Sequence, residues 1–206
     1  MYVPRPFALD QDETHALLGS LRAGHLVTAT RQGLLATLVP FIHDVAAGEH
    51  GALLGHVARA NPQWEQPVAG EALVIAQGPD GYISPSWYAA TREHGRVVPT
   101  WDYVVLHVHG TLRFHDDVSF VRDVVERLTE RFESPSSAPW SVADAPGEYI
   151  ERQLRAIVGF ELTVTRVEAS AKLSQNRAAD IDGVTQGLRR RGDAALADEV
   201  ERHRPR

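Results

Sequence analysis

Lys172-Leu173-Ser174-Gln175-Asn176-Arg177 places an ammonium, a hydroxyl, two amides and a guanidinium in six positions. That is dense donor capacity for an anion. The segment follows a predicted strand and opens a predicted helix, where free backbone N–H groups also favour anions. A capped helix start with a solvated basic edge accounts for the same residues equally well, with Ser174 or Asn176 as the cap. A second polar run, His56-Val57-Ala58-Arg59-Ala60-Asn61-Pro62-Gln63-Trp64, leaves a strand and gathers side chains around one tryptophan. It reads either as a strand end with an anchored turn or as a pocket rim, since loops leaving a rigid sheet commonly carry ligands.

Two further segments have chemistry to offer. Gly78 to Tyr88 contains two glycines, two prolines, three aromatics and two serines. The aromatics either pack a turn or wall a fixed loop that suits a planar ligand with a polar tail. Val98-Pro99-Thr100-Trp101-Asp102-Tyr103 enters a strand that continues to His107 and His109, which share one face at period two. A histidine pair needs a third ligand to hold a metal, and the ten histidines show no H-E-x-x-H spacing, so no metal site is expected.

The chain as a whole narrows the chemistry. Its 206 residues contain no cysteine, which excludes disulfide scaffolds, thiolate zinc sites and cysteine nucleophiles. No G-x-G-x-x-G follows a strand and no G-x-S-x-G elbow is present, so neither a Rossmann domain nor a serine triad is indicated, and no catalytic residue is assigned. The net charge of −6 is the wrong sign for a surface that grips nucleic acid throughout. No apolar run approaches the roughly 18 residues of a membrane span, and the amino terminus lacks a signal-peptide pattern. A cytoplasmic protein without membrane contact is the expectation.

The elements that must position these residues follow from periodicity. Asp10 caps a first helix with Glu13 at the capping-box position, and Gly33 marks a hairpin between period-two runs at Leu26–Thr30 and Leu34–Ile42. Further strands are predicted at 52–57, 72–76, 104–114 and 157–167. Asp116 or Asp117 caps a helix carrying Phe120, Val121, Val124, Val125 and Leu128, and Pro146 opens another. After Lys172 the apolar anchors are Ile181, Val184, Leu188, Leu196 and Val200. This predicts one α+β domain over 1–206, an antiparallel β-barrel with inserted helices at 1–170 and a helical C-terminal extension at 171–206.

MYVPRPF at 1–7, GHVARANPQW at 55–64, GPDGYISPSWY at 78–88, VPTWDY at 98–103, HVHG at 107–110 and KLSQN at 172–176 run in order along the chain. DAPGEYIE at 144–151, IVGFEL at 157–162 and GVTQGL at 183–188 extend the series. Together they resemble the PaiB family of FMN-binding split-barrel proteins, called negative transcriptional regulators. The resemblance implies a Greek-key split β-barrel with peripheral helices, a homodimer, and FMN held near the subunit interface by both chains. It makes Arg59, Asn61, Lys172, Ser174 and Gln175 the candidates for the phosphate, and His56, Trp87, Trp101 and Tyr103 candidates for the ring or its edge.

The chain departs from the family pattern at Ala169-Ser170, where the family has Gly-Lys, at Asp102, where it has Asn, and near Thr91, where it has a lysine. Losing a charge-assisted bond to phosphate weakens binding about 10- to 100-fold, so FMN is expected to be weakly held or absent on purification. The alternative to a regulator is a flavin-dependent oxidoreductase or flavin reductase using NAD(P)H, in which the flavin carries the chemistry. Haem binding through His56, His107 or His109 ranks last. Direct DNA binding is the minority reading: only Arg189-Arg190-Arg191 offers a basic element, and a helix C-terminus explains those residues through the macrodipole.

Overall fold

In the computed structural model, which describes residues 1–205, the hairpin predicted around Gly33 joins β1 (Ala23–Thr30) to β2 (Gly33–Asp44). Thr30 pairs with Gly33 across the turn, and the Thr30 hydroxyl donates to the Gly33 carbonyl at 2.9 Å. The remaining strands are β3 (Ala52–Ala58), β4 (Ala72–Ile83), β5 (Thr100–His115) and β6 (Ile157–Lys172). Among the described residues these six strands close an antiparallel barrel in the order β1-β2-β3-β6-β5-β4, as the α+β barrel reading requires. β4 and β6 run longer than periodicity suggests. Gly78–Ile83, read from sequence as the start of a loop, continues β4, because backbone pairing carries the strand past residues with weak strand propensity.

The helices are α1 (Gln11–Ser20), α2 (Ala89–Glu93), α3 (Val118–Glu133), α4 (Gly147–Leu154), α5 (Ile181–Arg191) and α6 (Ala194–Arg202). The capping box at α1 forms as predicted, Asp10 Oδ1 accepting the Glu13 N–H at 2.8 Å and Glu13 returning the bond at 3.0 Å. At α3 it is Asp117 that caps, accepting the Phe120 N–H at 2.9 Å, while Asp116 pairs with Arg59. No helix among the described residues is long and apolar enough to cross a membrane.

The chain divides into two compact units. The unit formed by Leu17–Ala76 and His107–Val167 holds β1, β2, β3, the first part of β4, most of β5 and β6, and helices α3 and α4. β3 is buried on both faces: Ala52 and Leu54 meet Val124 and Leu128 of α3, whereas Leu53 and Val57 alternate to the other side. Each such fully buried aliphatic side chain contributes about 1.5–3 kcal/mol. The unit formed by Met1–Ala16, Gln77–Leu106 and Glu168–Arg206 contains the ends of β4 and β6, the start of β5, and α2, α5 and α6.

In that unit the five apolar anchors predicted after Lys172 are all buried, so α5 and α6 form an amphipathic pair closed by Gly192 in the left-handed conformation at φ 94°. α5 lies directly on Trp87. A methyl at Gly183 would stand 2.1 Å from the Trp87 carbonyl oxygen, and one at Gly187 would stand 2.2 Å from the indole. Gly187→Ala is expected to lower stability by about 1–3 kcal/mol through overpacking, read as a lower urea midpoint. An unchanged midpoint would mean that α5 does not press on Trp87.

A buried carboxylate cavity

At the start of β5, side chains alternate between faces, and Asp102, Val104 and Leu106 share the buried one. Asp102 therefore puts a fully buried carboxylate at the end of an apolar row, a placement that is tolerated only with partners. β6 and the turn after it supply them. Lys172 Nζ reaches Asp102 Oδ1 at 3.3 Å and donates to Thr100 Oγ1 at 2.6 Å and the Trp101 carbonyl at 2.5 Å. Its three donors thus have three acceptors. The Ser174 hydroxyl donates to Asp102 Oδ2 at 2.6 Å, from a residue held at φ 60°, which non-glycine residues seldom adopt.

Gln175 clamps that turn, its amide oxygen accepting the Leu173 N–H at 2.7 Å and its amide nitrogen donating to the Ala171 carbonyl at 2.5 Å. The turn then passes through Ala178–Asp180 before α5 begins at Ile181, so the KLSQN segment does not open a helix as its composition suggested. The local side-chain hydrogen bonds of Gln175 and the left-handed backbone of Ser174 favour a turn over a first helical turn.

These residues line a cavity of about 150 Å³ with Tyr88, Val98, Pro99, Asn176 and Arg177. Tyr88 is 1% exposed, and its hydroxyl has no hydrogen-bond partner among the described residues. The Arg177 guanidinium lies 4.7 Å over the Tyr88 ring and is 3.7 Å from Asp180, whose other carboxylate oxygen accepts the Ala89 N–H at 2.9 Å. Burial pushes the Asp102 carboxyl above the usual range, against the lowering effect of the Ser174 and Lys172 contacts. Burial also raises the Tyr88 phenol.

The nine sequence candidates fall into two sets. Lys172, Ser174, Gln175, Trp101, Tyr103 and Trp87 belong to the unit that holds the cavity, while His56, Arg59 and Asn61 belong to the other. Trp101 is half exposed, with its indole N–H on Asp80 at 2.7 Å, and Tyr103 sits two residues along the same strand face. Trp87 is engaged by α5, with the Arg191 guanidinium 5.2 Å over its ring. Arg59 binds Asp116 at 2.5 Å and the carbonyls of Arg155 and Ile157 at 2.6 and 3.2 Å.

Asn61 caps the Gln63 N–H at 2.9 Å and donates to Thr37 at 2.8 Å. Gln63, 1% exposed, completes that network by bonding Thr37, Thr28 and the Leu26 carbonyl. ARANPQW is therefore an internal clamp on the β1–β2 hairpin. His56 keeps a buried Nδ1 with no hydrogen-bond partner among the described residues, and burial lowers its pKa below the usual imidazole range. Residues that sequence reasoning passed over as site members are Tyr88, Thr100, Asp102 and Arg177. All four lie within motifs it singled out, but nothing in the sequence says that those motifs meet.

The raised Asp102 carboxyl gives a signed prediction. A carboxyl whose folded value exceeds its unfolded value stabilises the fold at acid pH and loses that contribution as pH rises through the folded value. The melting temperature of Asp102→Asn relative to wild type should therefore improve from pH 4.5 to pH 7.5, about the window from the ordinary carboxylate range upward. A difference that is flat or moves the other way across these melts would contradict the assignment.

Residues 1–166 match the family model described as "Putative FMN-binding domain". The chain is 33% identical over 179 residues to the protease synthase and sporulation protein PAI 2 of Bacillus subtilis, covering 86% of this chain and 83% of that protein. It is also 30% identical over 209 residues to an uncharacterised protein of Emericella nidulans, covering 84% and 83%. A flavocytochrome of Azotobacter vinelandii is similar in structure, with TM-score 0.52 and 14% identity over 82% of this chain and 72% of that one. A conserved hypothetical protein of Mycobacterium tuberculosis has TM-score 0.53 and 12% identity over 84% and 91%. These likenesses establish the barrel fold, and the sequence matches establish more: the chain belongs to the PaiB-type family of FMN-binding split-barrel proteins.

Proposed function

We propose that the protein binds FMN as a cytoplasmic homodimer and acts as a PaiB-type regulator whose state depends on its bound ligand. Family membership motivates the cofactor, and the observation that carries it is the cavity beside Tyr88. Cationic Lys172 and Arg177 line it together with Asn176, in the unit that also exposes Trp101. FMN needs this combination, an anion site for its phosphate and aromatic or apolar surface for its ring. A cavity of about 150 Å³ suits the phosphate alone, which leaves the ring for the strand face of exposed Trp101 and partly buried Tyr103. Bound FMN would supply redox capacity, while these residues bind and orient it.

The homodimer reading has its own support. Leu34 and Leu38 on β2 are 75% and 63% exposed, and opposite-strand register sets Ala29, Val27 and His25 beside Leu34, Ala36 and Leu38. Leu73 and Ile75 of β4 continue the same face. A contiguous apolar sheet face of this kind marks an interaction surface, and a second copy of the chain is the occupant proposed. Regulation through ligand and assembly, in place of groove reading, fits the tail. Arg189 is paired with Glu201 and Asp198, and Arg191 with Asp193 and the Tyr82 carbonyl.

Two measurements test this. In fluorescence titrations, saturable FMN quenching is expected, and Arg177→Gln should weaken FMN about tenfold or more, the scale of one charge-assisted bond, while riboflavin is little changed. Equal loss for both ligands would remove Arg177 from the phosphate site. In sedimentation velocity, wild type should run as a dimer and Leu38→Lys as a monomer, whereas an unaffected dimer would place the interface elsewhere.

A further inference from the structure

Glu126, Glu130 and Glu133 stand at i, i+4 and i+7 of α3, on one side of the helix. That side walls a cavity of about 640 Å³, within the range of small-molecule sites, whose other wall is the loop at 134–143. Pro139, Trp140 and Val142 give the loop an apolar surface, with Val142 buried and Trp140 45% exposed. Hydrogen bonds fix it in place. Glu133 Oε2 accepts the Trp140 backbone N–H at 3.1 Å, and the Ser141 N–H donates to Asp144 Oδ2 at 2.7 Å.

The charge at this cavity has one sign. Three of the residues that line it are glutamates and none is basic. The arginines of α3 are engaged elsewhere, Arg127 by Asp44 at 2.9 Å and Arg131 by the Gly19 and Leu21 carbonyls at 2.6 and 2.9 Å. Arg122 is shared between Glu151 and Glu126, reaching Glu126 only at 3.7 Å. Glu133 holds the loop, and Glu130 is exposed with no ion pair among the described residues. Carboxylates beside an accessible indole complement an ammonium group carried on an apolar body.

We propose that this cavity binds a small organic ammonium ion, its charge beside Glu130 and Glu126 and its apolar chain along Trp140, Pro139 and Val142. An inorganic cation would meet the carboxylates and leave the indole uncovered, whereas an uncharged ligand would gain nothing from the glutamates. The volume suits a free small molecule, the occupant proposed. The site shares no residue with the cavity beside Tyr88, so it does not rest on the FMN reading.

The experiment follows the Trp140 indole N–H in proton–nitrogen correlation spectra of the intact protein as hexylammonium chloride is added, the signal being assigned by its absence from Trp140→Leu. A saturable shift of that signal is expected. Ammonium chloride and magnesium chloride at the same ionic strength should not reproduce it. Glu130→Gln keeps the size of the side chain and removes its charge, and should weaken hexylammonium about three- to fivefold, the upper scale of an exposed charge pair. Trp140→Leu, titrated calorimetrically, should weaken it about two- to fivefold, the scale of an exposed cation–π contact. A shift that ammonium or magnesium ions reproduce would mean that the glutamates attract any cation, and would overturn the proposal. Hexylammonium binding indifferent to Glu130→Gln would overturn it too, as would a Trp140 signal that never saturates.

Discussion

A carboxylate with no solvent exposure has to be matched from within the protein, and Asp102 is matched by Lys172 and Ser174. An isolated buried charge costs several kcal/mol even after relaxation, and removing one partner of such a pair leaves that cost uncompensated. The start of β5, the end of β6 and the turn after it are bound to one another by this requirement. The same contacts hold Ser174 in its left-handed conformation and direct Lys172 along the Thr100–Trp101 backbone. The cavity beside Tyr88 takes both its shape and its charge from the arrangement.

The other polar segment illustrates the opposite use of similar residues. Arg59, Asn61 and Gln63 have the composition of a ligand rim, but their donors and acceptors close on Asp116, Thr37, Thr28 and backbone carbonyls. Such a network rigidifies the strand end when every member has a partner. Around it the apolar residues behave as burial alone dictates. β3 is sandwiched by apolar contacts, α3 lays Val124 and Leu128 onto Ala52 and Leu54, and glycine at 187 admits the Trp87 ring against α5.

Lys172, Asn176 and Arg177 line a small cavity, while the outward face of β1, β2 and β4 presents leucines that water does not favour. Arg189 and Arg191 of α5 are held by Glu201, Asp198 and Asp193, which suits a helix end better than a nucleic-acid contact.

Local rules made much of this legible in the residues themselves. Asp10 and Glu13 cap α1, Gly33 turns the first hairpin, and the apolar spacing of Ile181, Val184, Leu188, Leu196 and Val200 marks the buried faces of α5 and α6. Each depends on neighbours within a few positions, so periodicity and capping chemistry suffice. The family resemblance was carried by ordered motifs such as YISPSWY and KLSQN for the same reason: they are contiguous. Tertiary structure decided which polar residues are available. Sequence could list Lys172, Arg59 and Asn61 as donors, but their acceptors lie between 24 and 98 positions away along the chain. It also could not show that Tyr88 and Arg177 share a cavity, or that Asp102 neutralises Lys172. Hydrogen-bond satisfaction and burial are properties of what surrounds an atom in space, and one-dimensional spacing does not encode them.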